Sequence, residues 1–186
     1  MIKNKNIVPT KFLWIDLEMS GLNPQKDVII EVAAEITDVH LQTIASYEAR
    51  IAHPRQKLAR LMQENTFWKD YPENREDFLE HAESGKSIGI VEQELIGLVK
   101  QYFGDELAVL AGNSIHSDKK FIEVWMPQLD LLLHYRLLDV SSWKVLMQSR
   151  YSVQYEKPEV HRAYEDIQAS IAELEHYLEY FKSNKI

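Results

Sequence analysis

Five side chains of this sequence have the types and positions that metal-assisted phosphoryl chemistry uses. The first two, Asp16 and Glu18, lie two residues apart at the end of the apolar, strand-forming run 11–17. Successive strand side chains alternate between faces, so these carboxylates project to the same side of a sheet. Two carboxylates held close together repel each other unless a cation neutralises them. Oxygen-only ligands of this kind suit Mg²⁺ or Mn²⁺.

Three further residues complete the candidate set. Asp118 follows the short apolar run 107–111 and lies near the start of the next helix, and His161 and Asp166 flank the start of the last helix. If these side chains meet at one end of a sheet, two divalent ions roughly 3.5–4 Å apart would clamp the attacking and leaving oxygens of an in-line displacement. A histidine at the same place could take the proton from the attacking water.

Each of these residues also has an ordinary structural explanation when it is taken alone. An acid pair at a strand end is commonly just solvated, and Asp118 and Asp166 both suit the first turn of a helix, where a negative charge favours the helix dipole. A single histidine such as His161 is more often a surface or core residue than a catalyst. The catalytic hypothesis therefore depends on the convergence of all five.

The elements that must position these residues alternate between strands and helices. Hydrophobic periodicity predicts strands and helices over the following ranges, with a loop over 149–160. The strands are 11–17, 28–37, 43–51, 107–111 and 136–140; the helices are 56–63, 72–83, 87–103, 117–126, one capped by Ser141 or Ser142 and ending near 148, and 163–181. This order predicts an α/β fold in which helices flank a mixed β-sheet. We expect a single domain over residues 1–186, with its core at about 11–181.

Composition narrows the function classes. The chain has 186 residues, a formal net charge of −8 and no cysteine, which excludes disulfides and thiolate metal sites. It has no apolar run long enough to span a bilayer and no signal peptide, so we expect a cytoplasmic protein. Proteins that bind long nucleic acids through many phosphates usually present a basic surface. A nucleic-acid substrate would therefore be short, or bound cations would supply the positive charge.

Four blocks of the sequence resemble the motifs of the oligoribonuclease family, and they occur in the family's order. They are WIDLEMSGLNP (14–24), AGNSIHSDKKF (111–121), HYRLLDVS (134–141) and HRAYEDIQASIAEL (161–174). The family belongs to the DEDDh exonucleases, which have a ribonuclease H-like fold. The resemblance implies a 3′→5′ exoribonuclease that hydrolyses short oligoribonucleotides, especially dinucleotides, to 5′-mononucleotides with two divalent cations, Mg²⁺ or Mn²⁺. It implies that Asp16, Glu18 and Asp166 bind the metals, that Asp118 completes the acidic set and that His161 is the general base.

The same resemblance implies a set of substrate contacts. Leu22 would wedge against the 3′ base and Trp68 would stack on a base, which suits every base because each has a π face. The terminal 5′ phosphate would be enclosed by Ser114, Arg136, Ser141 and Lys144, which would exclude longer chains. Tyr135 would come from the second subunit of a homodimer.

The segment 69–78 departs from the family pattern. Without gaps, Glu73 takes the place of a phosphate-contacting histidine, a change that could shift affinity or length preference. Two alternatives stay open: a related DEDDh nuclease that trims tRNA ends or proofreads DNA, and a non-catalytic nucleotide-binding or scaffold protein. The acidic net charge favours short RNA over the first, and the presence of all five site residues counts against the second.

Overall fold

The fold is built on one five-stranded sheet. The computed structural model describes residues 8–156 and 161–184, so the last part of the expected loop 149–160 lies outside the described residues. The strands are β1 (Lys11–Met19), β2 (Ile29–Asp38), β3 (Thr43–Arg50), β4 (Ala108–Gly112) and β5 (Leu133–Asp139). Their spatial order is β3-β2-β1-β4-β5. β2 is antiparallel to both β1 and β3, whereas β4 is parallel to β1 and β5 is parallel to β4. The predicted mixed sheet is confirmed.

Helices cover both faces of this sheet. They are α1 (Arg55–Gln63), α2 (Phe67–Asp70), α3 (Pro72–Glu80), α4 (Ile88–Phe103), α5 (His116–Trp125), α6 (Pro127–Asp130), α7 (Val140–Leu146), a π-helix over Met147–Tyr151, and α8 (Ala163–Asn184). No helix in the described part of the chain is both long and apolar enough to cross a membrane.

The alternation of β1 separates two hydrophobic layers. Leu13, Ile15 and Leu17 pack with residues of α4 and α5 on one face. Trp14 packs with Ile167 and other residues of α8 on the opposite face. Asp16 and Glu18 continue the series of Trp14, so the alternation assigns them to the face that α8 covers.

Three predicted boundaries need correction. The last strand begins at Leu133 instead of residue 136, and α3 ends at Glu80 instead of residue 83. The serines do not cap α7: its N-cap is Asp139, whose side chain accepts a hydrogen bond from the Ser141 amide. Aspartate and serine cap helices equally well, so local sequence does not discriminate between them here.

Candidate active site

Three of the predicted acids converge. Asp16 and Glu18 lie on β1, and Asp166 lies in the first turn of α8, the helix that covers this face. One carboxylate oxygen from each of them falls within 4.8 Å of the others, a separation that a single cation can bridge. Hard oxygen donors held this close fit Mg²⁺ or Mn²⁺ and offer nothing to a soft metal.

Asp118 reaches the same strand end from the opposite layer. It is the third residue of α5 and is buried, and its Oδ1 accepts a hydrogen bond of 3.1 Å from the Leu17 amide. Burial raises the pKa of Asp118 to about 7, and the charge of Asp139 adds to the effect. The prediction that Asp118 lies near the start of a helix is confirmed. Its charge helps to raise the pKa of Glu18, but its carboxylate is not a member of the three-acid group.

Glu18 shows how strongly this acidic cluster disfavours further negative charge. Burial raises its pKa to about 8, and the neighbouring charges of Asp166, Glu31 and Asp118 contribute in that order. Arg162 acts in the opposite direction but does not overcome them. A bound divalent cation would remove this repulsion, and carboxylate sites for cations are built in this way.

Arg162 belongs to a network of ion pairs behind the acids. Its Nε and Nη2 donate to both oxygens of Glu31, at 3.1 and 2.9 Å, in the forked geometry that a guanidinium favours. Its Nη1 donates to Asp77 on α3 at 3.4 Å. Arg50 on β3 also contacts both acids, at 3.3 Å from Glu31 and 2.8 Å from Asp77. Glu31 is the cross-strand neighbour of Glu18, so this network fixes the start of α8 against the strands that carry the site.

His161 lies immediately before α8 in a left-handed backbone conformation, with φ of 54°. The next residue, Arg162, donates its amide to Asp166 Oδ2 at 3.2 Å, which ties this corner to the three-acid group. The His161 ring contacts Tyr71, with centroids 3.9 Å apart, and Phe67, with centroids 5.1 Å apart. Its Nε2 atom is buried and has no hydrogen-bond partner among the described residues.

Leu22 projects from a tightly folded loop next to the acids. The loop is organised by Asp27, whose carboxylate accepts hydrogen bonds from the Ser20 hydroxyl and the Asn23 amide. A Cβ at Gly21 would lie 2.5 Å from that carboxylate, so a larger residue does not fit there. Leu22 itself is 81% exposed. It lines a cavity of about 140 Å³ together with Glu18 and Phe67.

Trp68 does not occupy the position expected of a base-stacking residue. It is only 1% exposed, its indole N–H donates to the Ser20 carbonyl at 3.1 Å, and its ring packs edge-on against Phe78. The preceding residue, Phe67, is the aromatic residue that lines the cavity beside Leu22. The expectation for Trp68 is therefore corrected: this ring is part of the core, and Phe67 lines the cavity in its place.

Ser114 and Ser141 are brought together, as the resemblance implied. Their hydroxyl oxygens are 3.1 Å apart, and the Ser114 amide donates to Ser141 Oγ at 2.8 Å. The parallel pairing of β4 with β5 produces this contact, because Gly112 pairs with Asp139 and both serines follow two residues later. Asn113 accepts from the Ser141 hydroxyl and donates to the fully buried Glu173, which links the pair to α8.

The remaining predicted substrate residues are more dispersed. Lys144 is on α7, with its ammonium 4.0 Å from Glu173. Arg136 is exposed on the edge strand β5, where its guanidinium lies over the ring of Tyr135. Tyr135 is 71% exposed, which leaves its ring available to a second molecule.

The sequence reading missed four residues that contact the site: Phe67, Tyr71, Asn74 and Arg162. The first three lie in or beside the segment that departs from the family pattern, so they had no motif to mark them. Arg162 lies within the motif block 161–174, but nothing in that block indicates its partner Glu31, which is 131 residues away in the sequence.

The chain is similar to known exonucleases. Residues 13–174 match the RNase_T family of exonucleases. The fold is also similar to that of solved exonuclease I structures. For the protein from Methylocaldum szegediense the TM-score is 0.63 at 15% identity, and for the zinc-bound E. coli enzyme in complex with single-stranded DNA it is 0.61 at 13% identity. The alignments cover 91% and 95% of this chain, but only 40% and 42% of those proteins. The protein is thus an exonuclease of the ribonuclease H-like fold.

Its relatives define the family more narrowly. The chain is 38% identical over 173 residues to the oligoribonuclease of Neisseria meningitidis serogroup A, with 90% of each chain covered. It is 35% identical over 178 residues to the oligoribonuclease of Pseudomonas aeruginosa strain PAO1, with 93% of this chain and 97% of that protein covered. The chain belongs to the oligoribonuclease family and is a hydrolytic exoribonuclease.

Proposed function

We propose that this protein is a single-domain, cytoplasmic 3′→5′ exoribonuclease that degrades very short RNAs, above all dinucleotides, to 5′-mononucleotides. The observation that carries the proposal is the meeting of Asp16, Glu18 and Asp166 within 4.8 Å, beside a cavity that also includes Leu22 and Phe67. Glu18 thus belongs both to the acidic group that would hold a cation and to the lining of the apolar cleft that would hold a base.

The acids would hold divalent cations, with Asp118 completing the set from the opposite layer. Two Mg²⁺ or Mn²⁺ ions bound there would stabilise the charge that develops on the reacting phosphate. His161 takes a proton from the attacking water, whose oxygen forms a bond to phosphorus. The bond from phosphorus to the 3′ oxygen of the preceding nucleotide breaks, and that oxygen takes a proton from solvent water and leaves as a hydroxyl. A 5′-mononucleotide is released.

The 3′ base would lie in the cleft between Leu22 and Phe67. Both side chains are apolar and neither can read a hydrogen-bonding edge, so this contact would accept any base. The buried position of Trp68 removes it from this role.

Preference for short substrates would come from the Ser114 and Ser141 pair at the far end of the site. These residues, with Arg136 and Lys144, would bind the terminal 5′ phosphate and leave no room for another nucleotide. The Asp139 carboxylate beside them is already engaged by the amides of Ser114 and Ser141 and lies 3.4 Å from His116, so it is less available to repel a phosphate.

A homodimer would complete the site. The edge strand β5, the adjoining α7 and the end of α6 just before β5 expose several large hydrophobic side chains, namely Tyr135, Val145, Leu146 and Leu131. An exposed edge strand with apolar neighbours favours pairing with another chain. In such a dimer Tyr135 would reach the substrate of the partner subunit.

A length series tests the proposal. Purified protein with Mn²⁺ is incubated with 5′-labelled RNAs of two to about twenty nucleotides and with a deoxydinucleotide, and products are resolved over time. We expect the ribodinucleotide to turn over fastest and Asp16→Ala to be inactive. Faster cleavage of long strands would favour a tRNA-trimming or DNA-proofreading relative, and absent turnover with intact nucleotide binding would favour a scaffold.

A further inference from the structure

The segment that carries α2 and α3 surrounds the His161 corner. Tyr71, which links the two helices, contacts the imidazole at a centroid distance of 3.9 Å and an interplanar angle of 64°. Phe67 contacts the same ring edge-on. Asn74 on α3 donates from Nδ2 to the backbone carbonyl of His161 at 3.2 Å. One short stretch of chain therefore holds both the ring and the backbone of this residue.

The backbone of His161 needs such support. A residue with a side chain at φ of 54° is in a conformation that persists only when surrounding contacts maintain it. Asn74 binds the carbonyl of that residue, and Asp77, one turn further along α3, pairs with Arg162. The helix α3 thus contacts two consecutive residues, His161 and Arg162.

The orientation of the imidazole depends on packing. Its Nε2 atom is buried and has no hydrogen-bond partner among the described residues, so no polar group within that part of the chain fixes this side of the ring. The contacts that the structure gives to the ring are aromatic, and Tyr71 makes the closer one.

We propose that Tyr71 and Asn74 are positioning residues for the general base: Tyr71 sets the plane of the His161 imidazole, and Asn74 holds its backbone. The inference rests on the proposed role of His161 in catalysis. It assigns a function to the segment in which this chain departs most from the family pattern. Replacing either residue should slow the chemical step and leave substrate affinity unchanged, because neither residue lines the Leu22 cavity.

Three variants test the proposal. Tyr71→Ala removes the ring, Tyr71→Phe keeps it, and Asn74→Leu keeps about the same shape, removes the donor and adds no charge. Glu80→Ala is the matched control, because Glu80 is exposed at the end of the same helix. The measurements are kcat and KM for a ribodinucleotide, together with Mn²⁺ affinity by calorimetry without substrate.

We expect Tyr71→Ala and Asn74→Leu to lower kcat by about 10- to 100-fold, the range that a displacement of about 1 Å of a catalytic group produces. KM and Mn²⁺ affinity should stay within about twofold of wild type, because the contacts that bind the substrate and the metal before reaction are unchanged. Tyr71→Phe and Glu80→Ala should retain kcat. A loss of Mn²⁺ affinity or a rise in KM that parallels the fall in kcat would overturn the proposal, because it would indicate general disruption of the site.

His161→Ala separates the two proposals. If this variant is inactive while Tyr71→Ala and Asn74→Leu keep wild-type kcat, the positioning inference fails and the proposed function stands. If His161→Ala retains wild-type turnover, the general-base proposal itself is wrong, and the inference fails with it.

Discussion

The replacement Glu18→Gln should stabilise the metal-free protein at alkaline pH. Burial and the neighbouring acids raise the pKa of Glu18 from 4.5 to about 8 in the folded chain. Below pH 4.5 the carboxyl is protonated whether the chain is folded or unfolded, so it has no effect on the pH dependence. Between pH 4.5 and 8 the unfolded chain has released the proton while the folded chain still binds it. The free energy of unfolding therefore falls as the pH rises through this interval.

The size of the effect follows from the same pKa change. Each pKa unit corresponds to about 1.4 kcal/mol, so the whole interval corresponds to at most about 5 kcal/mol. Water entry and side-chain relaxation reduce the penalty of a buried charge in real proteins, and we expect about 2 kcal/mol at pH 8. For a chain of this length that is a rise in Tm of about 4–8 °C for Glu18→Gln over wild type. At pH 5 the two proteins should differ little.

Thermal unfolding followed by circular dichroism, in EDTA at pH 5, 6, 7 and 8, measures this difference. Glu80→Gln serves as the control, because it removes an exposed carboxylate from α3 and should give a constant offset. Adding Mn²⁺ at pH 8 should raise the Tm of wild type and raise that of Glu18→Gln much less. Equal stability of wild type and Glu18→Gln in EDTA at pH 8 would refute the reasoning, because the carboxylate would then carry no penalty.

Three further experiments test the roles assigned above. Trp68→Ala should lower the free energy of unfolding, measured in urea, by about 3–5 kcal/mol, as loss of a core indole does. Leu22→Ala should leave stability unchanged and raise KM for a ribodinucleotide about tenfold. The opposite pattern would indicate that Trp68 contacts the base. Arg162→Gln should destabilise the protein by about 2–3 kcal/mol because Glu31 loses its forked partner, and adding Glu31→Gln should recover part of that loss; no recovery in urea unfolding would contradict the ion-pair explanation. Val145→Asp should convert a dimer into a monomer in analytical ultracentrifugation, and a monomeric wild type would remove the proposed role of Tyr135.

The pair of Asp16 and Glu18 could be predicted from the sequence because its geometry is local. Alternation along β1 sets Asp16 and Glu18 on one face whatever the rest of the chain does. The motif around His161 and Asp166 places both residues at the start of α8, and the structure brings Asp166 to the pair. Short-range periodicity and motif order were enough for these assignments.

The aromatic residues could not be assigned in the same way. Phe67 and Trp68 are adjacent within a helix of four residues, and a single turn has no periodicity that distinguishes a cavity-facing side chain from a core-facing one. The contacts of Trp68 with Phe78 and the Ser20 carbonyl show that Trp68 is the core-facing residue of the two.

The sequence by itself determined the mixed α/β architecture, the family and the identity of the acidic residues, since strand alternation, helix starts and motifs act over a few residues. That Asp166 meets Asp16 and Glu18 was decided by the tertiary structure. Tertiary structure also decided which side chains support those acids and His161. The pairing of Glu31 with Arg162 and the contacts of Tyr71 and Asn74 with His161 join residues that are about 90 to 130 positions apart. No pattern of neighbouring residues encodes such contacts, because they arise only when α3 and α8 pack against the same sheet.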